Sequence, residues 1–256
     1  MFCFSYSVAV EIAGALLAGI AIGSVLGFVG AGGAMLTVPI LVYGFSFAPA
    51  QALVASLAVV IVAALSGLYP RYKSGEILVK EALIIWAIGS FANVGAANLA
   101  KNLSESILIT GFCAVIIFAG ITMLQKPVQA GEKRIPLPVL VILALLIGLI
   151  TGLFGIGGGF LAIPVLVLGF NVPQNKAAGT SLLIIVLNCA TALLAHNSDW
   201  NKIDWQVPLL MGLSAIAIGN WAGKRSAKTN PVLLRKYFAY LLFSIAAFTL
   251  FETWFL

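Results

Sequence analysis

The chain repeats one unusual glycine-rich phrase, and each copy interrupts a long apolar segment. The phrases read Gly-Phe-Val-Gly-Ala-Gly-Gly at 27–33 and Gly-Leu-Phe-Gly-Ile-Gly-Gly-Gly at 152–159. In hydrocarbon an unpaired backbone amide costs several kcal/mol, so irregular backbone persists at membrane depth only where protein encloses it or where it lines a cavity. A doubled break of this kind indicates a ligand site inside a membrane protein.

Composition places the chain in the membrane class. Hydrophobic residues make up 62% of its 256 residues and charged residues 9%, against roughly a quarter charged in ordinary soluble domains. The net charge of +6 comes from basic residues in short connectors, which is the pattern of positive-inside bias rather than of nucleic-acid binding. We predict an all-α integral membrane protein whose partner is the lipid bilayer, with no nucleic-acid partner.

A shift of 125 positions reveals two tandem halves. It brings residues 23–57 into register with residues 148–182. Identical pairs fall at structurally special positions, and they include Gly30/Gly155, Gly32/Gly157, Gly33/Gly158, Pro39/Pro164 and Ser56/Ser181. Internal repeats of this kind are typical of secondary transporters.

Segment lengths divide each half into a glycine-broken hairpin and three spans, since about 20 apolar residues cross a bilayer. The first repeat, residues 1–125, has a predicted hairpin at 8–45 and spans at 50–69, 82–97 and 106–125. A cytoplasmic linker is predicted at 126–136. The second repeat, residues 137–256, has a hairpin at 137–170 and spans at 177–195, 206–222 and 232–251. None of these span interiors contains His, Asp or Glu.

The basic residues favour inverted repeats. If each hairpin enters and leaves on its own side, 12 of the 14 Lys and Arg residues lie on one face, with only Lys101 and Lys202 opposite. A single crossing by each glycine segment would give seven against seven. The positive-inside rule therefore selects an odd number of crossings per half, which inverts the second repeat and places both termini outside.

Inversion would bring two glycine tips together near the membrane midplane: the first tip at residues 30–33 and the second at 155–159. Helices predicted to start at Ala34 and Phe160 would point their N-termini at the centre. Such ends attract anions without a buried Lys or Arg, and glycines let backbone close around a ligand. The predicted ligand is a small oxyanion such as a sulfonate, sulfite or carboxylate. The predicted lining glycines are Gly30, Gly32, Gly33, Gly155, Gly157, Gly158 and Gly159.

Polar residues in the spans extend this predicted site. Ser56 and Ser181 are repeat equivalents, Thr180 adjoins the second of them, and Asn188 lies two turns further on. Their hydroxyl and amide groups could donate to an oxyanion, although Ser and Thr in membrane helices often bond their own backbone. The weaker candidates are Asn93, Asn98, Thr151 and Asn220.

Some glycines and prolines allow a second interpretation. Small residues at four-residue spacing also let membrane helices touch, so close packing and ligand lining both stay open for Gly19, Gly23, Gly148 and Gly152. Pro39 and Pro164 lie in the returning arms of the hairpins, where each either is a tolerated kink or shapes the site.

The doubled phrases followed by Pro-x-Leu, at Gly30–Leu41 and Gly155–Leu166, resemble those of the TauE/SafE sulfite exporter family (TSUP). The run 202–205, Lys-Ile-Asp-Trp, is similar to the family's Gly-x-Ile/Val-Asp element, with Asn201 in place of the glycine. In the first phrase Ala34 stands in place of a third consecutive glycine. The resemblance implies secondary transport of sulfur-containing anions or small organic acids, location in a prokaryotic cytoplasmic (inner) membrane, and no bound cofactor.

Other functions stay open at this point. A thiosulfate-type carrier would use Cys113 and Cys189, and an anion channel would conduct without coupling. An intramembrane enzyme would need an acid, base or nucleophile, and the only credible nucleophiles in the spans, the same two cysteines, have no evident base partner. The cysteines lack metal-ligand spacing, so no metal site is predicted. Without an ATP-binding P-loop, energy must come from a gradient or a partner. The coupling ion, H+ or Na+, and a homo-oligomeric state are left open.

Overall fold

The computed structural model describes residues 2–29, 33–125, 136–226 and 231–255, and these ranges contain helices and no strand. The first half contains α1 (Phe2–Val29), α2 (Ala34–Pro39), a π-helical turn (Ile40–Gly44), α3 (Pro49–Lys73), α4 (Val79–Ala100) and α5 (Glu105–Leu124). The second half contains α6 (Leu137–Phe154), α7 (Gly159–Phe170), α8 (Gln174–Ala195), a 3-10 turn (Asn197–Lys202), α9 (Gln206–Ser226) and α10 (Pro231–Phe255).

Seven helices of the described chain are long and apolar enough to cross a bilayer: α1, α3, α4, α5, α6, α8 and α10. Helix α9 adds a shorter apolar stretch, Gln206–Ala222. The predicted all-α integral membrane class is confirmed, and the chain is a multi-pass membrane protein.

Local sequence explains several helix starts. Pro49 and Pro138 lie in the first turns of α3 and α6, where a missing N–H leaves no helical hydrogen bond unmade. The carboxylate of Asp204 accepts the Gln206 N–H at 3.0 Å and so caps the start of α9.

One span differs from its prediction in a way that matters for the chemistry. The last span was predicted to end at residue 251, but α10 continues to Phe255 and its apolar stretch reaches Trp254. Glu252 therefore lies near the end of a helix that is long and apolar enough to cross a bilayer. A hydrophobicity boundary stops at a charge, whereas Glu is a good helix former, so the helix continues past the predicted boundary.

The two halves pack against each other through two equivalent pairs of helices. Helix α1 lies along α9, and α6, its repeat equivalent, lies along α4, the equivalent of α9. In both pairs the residue numbers rise together, so the paired helices run parallel. The contacts join Gly19 to Met211, Gly23 to Ala215, Phe28 to Trp221, Gly148 to Gly89, and Gly152 to Asn93. The fold thus has an approximate two-fold relation between its halves.

Helices α5 and α10, which are also repeat equivalents, pack against each other in opposite directions. Gly120 lies against the Phe243 ring near one end of the pair, and the Trp254 indole donates to Thr110 Oγ1 at 3.3 Å near the other. Helices α3 and α8 pack together at the centre and are the most buried of the candidate spans.

In each half, the helix that follows the glycine tip folds back on the helix that precedes it. A Cβ added at Gly33 would lie 2.5 Å from the Leu26 side chain, and one added at Gly14 would lie 3.5 Å from the Phe45 ring, so α2 and the π-helical turn fold back along α1. In the second half α7 folds back on α6, where Gly158 contacts Ile147.

The structure assigns four glycines to close helix crossings. A Cβ at Gly19 would collide with the Met211 carbonyl oxygen, and one at Gly23 would come within 2.6 Å of the Ala215 oxygen. The equivalent Gly148 lies directly on the Gly89 carbonyl, and Gly152 on that of Asn93. The obstructing atoms belong to the backbone, so no side-chain rotation can relieve the collision.

We expect Gly148→Ala to destabilise the fold, because its new Cβ meets a backbone oxygen across the α4–α6 crossing. Overpacking typically costs about 1–3 kcal/mol, so the midpoint of thermal unfolding in detergent should fall. Gly95→Ala is the matched control, because nothing lies within 4 Å of an added Cβ on that glycine of α4. Its midpoint should stay or rise, since Ala favours a helix over Gly by about 1 kcal/mol. Equal midpoints would argue against the close crossing.

Candidate functional site

The second glycine tip has a backbone that glycine adopts easily and other residues adopt with strain. Helix α6 ends at Phe154, and Gly155 closes it with φ 67° and an N–H bond to the Thr151 carbonyl at 2.9 Å. Gly157 and Gly158 also have positive φ, 75° and 65°. Three left-handed residues in four turn the chain sharply enough to start α7 at Gly159, one residue before the predicted start.

This turn leaves a run of backbone donors without protein partners. The Gly158 carbonyl accepts the N–H groups of Leu161 and Ala162, both at 3.1 Å. The N–H groups of residues 156–160 donate no hydrogen bond to any other described part of the chain. All five residues are buried, and buried amides are almost always paired. The arrangement of successive free amides at a helix start suits an anion.

Tight packing around the tip limits the size of anything that binds there. A Cβ on Gly155 would lie 2.7 Å from Ser56 Oγ and 2.9 Å from the Leu53 carbonyl oxygen of α3. On Gly157 it would lie 3.0 Å from the Ile185 side chain and 3.2 Å from Cys189 Sγ of α8. The second tip is therefore held between α3 and α8, the two central helices.

The predicted hydroxyl ligands make hydrogen bonds within the protein. Ser56 Oγ donates to the Leu53 carbonyl at 2.7 Å and lies 3.4 Å from the Gly155 oxygen. Ser181 Oγ donates to the Ala178 carbonyl at 2.9 Å. Thr180 Oγ1 accepts the Leu78 N–H at 3.0 Å, which fastens the α3–α4 loop to α8.

Asn188 differs from these hydroxyls because its side chain is fully buried and neither its Nδ2 nor its Oδ1 has a partner. It immediately precedes Cys189, the residue that faces Gly157. A buried polar group without a hydrogen bond costs about 1–3 kcal/mol. Asn188 is thus the member of the predicted side-chain set with free hydrogen-bonding capacity.

Asn93, a weaker candidate in the sequence, joins Asn188 in the structure. Its Nδ2 donates to the Asn188 backbone oxygen at 2.8 Å, while its buried Oδ1 has no partner. Gly152 of α6 packs on the Asn93 backbone, two residues before the helix breaks. Helices α4 and α8 therefore bring two asparagines together, with the Asn93 backbone against Gly152 near the end of α6. The sequence signal was an Asn in mid-span, but nothing in the sequence paired it with a residue 95 positions away.

The first glycine tip is described only in part, because Gly30 and Gly32 lie outside the described residues. Gly33 is buried against Ile22 and Leu26 of α1, which are the repeat equivalents of Ile147 and Thr151 near Gly158. Helix α2 starts at Ala34, as predicted.

The two prolines have different structural consequences. Proline lacks the N–H that an α-helix needs and its ring crowds the preceding turn, and after Pro39 the chain widens into the π-helical turn. Pro164, its repeat equivalent, lies inside α7, which continues as an α-helix to Phe170.

Other chemistry is sparse around the tip. Cys113 and Cys189 are free and buried. Among the described residues no group of three or more His, Cys, Asp or Glu side chains could hold a metal ion. What the arrangement offers is a small, enclosed set of amide donors.

Known proteins similar to this chain are membrane transporters by name. The chain is 25% identical over 244 residues to a "Probable membrane transporter protein" of Xylella fastidiosa (strain 9a5c), covering 91% of this chain and 92% of that protein. It is 28% identical over 242 residues to "Probable membrane transporter protein YdhB" of Bacillus subtilis (strain 168), covering 90% and 96%. No solved structure matches the chain significantly.

The family description "Sulfite exporter TauE/SafE" matches residues 15–249, which include both glycine tips and every helix of the described chain in whole or part. The resemblance noted in the sequence is therefore confirmed over nearly the whole chain. This protein belongs to the TauE/SafE sulfite exporter family of membrane transporters.

Proposed function

We propose that the protein is a secondary transporter that moves a small anion across the cytoplasmic membrane and binds it at the second glycine tip. The substrate class is sulfite, an organosulfonate, or a related sulfur-containing or carboxylate anion. The observation that carries the proposal is the run of five buried, unpaired amides at residues 156–160. The protein acts as a carrier and not as an enzyme.

Charge supports an anion bound by backbone alone. No Lys or Arg occurs in residues 137–175 or 177–201, which include α6, α7 and nearly all of α8. The positive end of the α7 dipole and the free amides supply the attraction instead, and they do so without the cost of burying a full positive charge. A site without a fixed charge releases its anion more readily, which a transporter needs.

Hydrogen bonding divides the predicted side chains between two roles. Asn188 has a free donor that can bind an anion oxygen, and Asn93 fixes the backbone next to it. Ser56, Thr180 and Ser181 bond backbone groups, so we assign them to holding the tip and α8 in place. In the first half, Gly30, Gly32 and Gly33 would form the matching side of a midplane site.

An inverted arrangement of the halves, in the inner membrane with both termini outside, is the second part of the proposal. The antiparallel packing of the equivalent helices α5 and α10 supports it, because a repeat related by an axis along the membrane normal would set equivalent helices parallel. The distribution of 12 basic residues against two supports the same orientation.

The alternatives differ in what they require. A thiosulfate-type carrier would need reactive thiols at Cys113 and Cys189, so it predicts loss of transport when both are replaced by alanine. An anion channel predicts current without saturation in reconstituted bilayers. The amide site predicts saturable transport that survives replacement of both cysteines.

The orientation can be tested with reporters fused after Leu256. Alkaline phosphatase should be active there and green fluorescent protein dark, because both report an outside C-terminus. Fusions within the linker at 126–136 should give the opposite pair of signals. A fluorescent C-terminal fusion would contradict the proposed orientation.

The proposed anion site predicts that a change at Asn188 lowers the affinity for the anion without lowering the stability of the protein. Asn188→Leu removes two buried, unpaired polar atoms, so the thermal midpoint without ligand should stay or rise. A hydrogen bond to a charged group contributes about 1.5–3 kcal/mol, and 1.4 kcal/mol is tenfold. The affinity for sulfite should therefore fall about tenfold or more. It is read from ligand-induced thermal shifts, with thiosulfate, sulfoacetate, taurine and small carboxylates measured in parallel.

Thr180→Val is the control for this test, because it leaves the Leu78 N–H without its acceptor. Its thermal midpoint should fall, while the affinity of the folded protein for sulfite should change little. Unchanged sulfite affinity in Asn188→Leu would remove Asn188 from the proposed site.

A further inference from the structure

We propose that the C-terminal end of α10, together with the π-helical turn, forms a sodium-binding site. Its oxygen ligands come from Tyr43 of the π-helical turn and from Thr249, Glu252 and Thr253 of α10. This site lies apart from the amides of the second tip. Its binding chemistry does not depend on the anion-transport proposal, but its role as a coupling site does.

Two oxygen atoms of the site are buried and have no hydrogen-bond partner: Oε2 of Glu252 and Oγ1 of Thr249. Thr249 is 2% exposed. Residues 249, 252 and 253 lie on one face of α10 because they are separated by three and four positions. The Glu252 carboxyl is within electrostatic reach of the Tyr43 hydroxyl, which contacts the same face.

No basic residue of the surrounding helices can neutralise Glu252. The sequence has no Lys or Arg in residues 2–70 or 102–125, which include α1, α2, the π-helical turn, α5 and all but the end of α3. Within α10 the nearest basic residue is Lys236, sixteen positions and roughly 24 Å along the helix. Glu252 is partly buried, and its Oε2 atom is buried without a hydrogen-bond partner, which is costly in a membrane protein. A bound cation would remove that cost.

Two distances from the Tyr43 hydroxyl suit neighbouring ligands of a sodium ion, whereas Thr253 Oγ1 donates an ordinary hydrogen bond to the Thr249 carbonyl oxygen at 2.7 Å. The Tyr43 hydroxyl lies 3.3 Å from Thr253 Oγ1 and 3.5 Å from the Thr249 carbonyl oxygen, longer than the usual 2.7–2.8 Å of an O–H···O bond. Oxygens that share a cation of this size at 2.3–2.6 Å lie about 3.3–3.7 Å apart at the edges of an octahedron. A single carboxylate among neutral oxygens favours Na+ over Ca2+, which has a similar radius but takes more charge.

A small cavity extends from this site toward the second glycine tip. It has a volume of about 20 Å³, room for a water-sized group, and Tyr43 and Thr249 line one part of it. Leu53 and Phe154 line another part, and both adjoin Gly155, the first residue of the tip. An ion bound beside Tyr43 would therefore adjoin residues that pack against the tip, and its entry would favour anion binding through them.

The binding test uses purified, detergent-solubilised full-length protein in NaCl, KCl or choline chloride at constant ionic strength and without sulfite. Sodium should raise the thermal midpoint saturably, whereas potassium and choline should not. Glu252→Gln and Thr249→Val should each weaken the apparent sodium affinity tenfold or more. Glu105→Gln is the matched control, because Glu105 is an exposed acid on the helix that packs against α10, and its variant should stay within twofold of the unmodified protein.

The coupling test measures sulfite flux in proteoliposomes under a sodium gradient. Flux should rise severalfold over a matched potassium gradient in the unmodified protein and not in Glu252→Gln. The site would be overturned if sodium did not raise the thermal midpoint more than potassium does. It would also be overturned if Glu252→Gln and Glu105→Gln weakened the apparent sodium affinity equally. If a proton gradient without sodium drove sulfite flux as strongly as the sodium gradient does, the coupling role of the site would be overturned. Sodium stabilisation with no sulfite flux would instead reject the transport proposal and leave the site standing.

Discussion

An unpaired backbone amide is costly in a bilayer, and the architecture is organised around one place where several occur together. The glycines at 155, 157 and 158 turn the chain so that five buried amides are left without acceptors in the described chain. The central helices α3 and α8 pack against this tip. An exception to backbone pairing of this kind needs a ligand or water to satisfy it, which is why we propose that the tip binds an anion.

The two-fold relation between the halves does not extend to their chemistry. Pro39 is followed by a π-helical turn that carries Tyr43 toward α10, whereas the equivalent Pro164 lies in an uninterrupted α-helix. Asn188 lies next to the second tip with a free amide, and its repeat equivalent is the apolar residue Ala63. We therefore propose an anion site at the second tip and a cation site where Tyr43 of the first half meets α10 of the second half. A transporter that couples two ions can use an asymmetry of this kind.

Much of this arrangement could be predicted from the sequence, and the remainder depends on contacts that no local pattern encodes. Consecutive glycines in apolar segments predicted the helix breaks, and the starts of α2 and α7 followed to within one residue. The bond from Asn93 to the Asn188 carbonyl joins residues far apart in the chain, so it emerged only from the packing of α4 on α8. The different outcomes at Pro39 and Pro164 arise from tertiary packing, because their local sequences are alike. Helix α10 continues past the predicted span boundary to include Glu252, because hydropathy marks the edge of an apolar stretch and not the end of a helix.

The central claim is that backbone amides of the second tip bind the anion. Solid-state NMR of the protein in lipid bilayers, with 15N at glycine and phenylalanine, reports directly on Gly157, Gly158, Gly159 and Phe160. On titration with sulfite we expect saturable downfield shifts of these amide protons, because each would donate to a charged acceptor, with the same midpoint for all four. Saturable binding that leaves these four amides unshifted, or that shifts only glycines outside the second tip, would contradict the account.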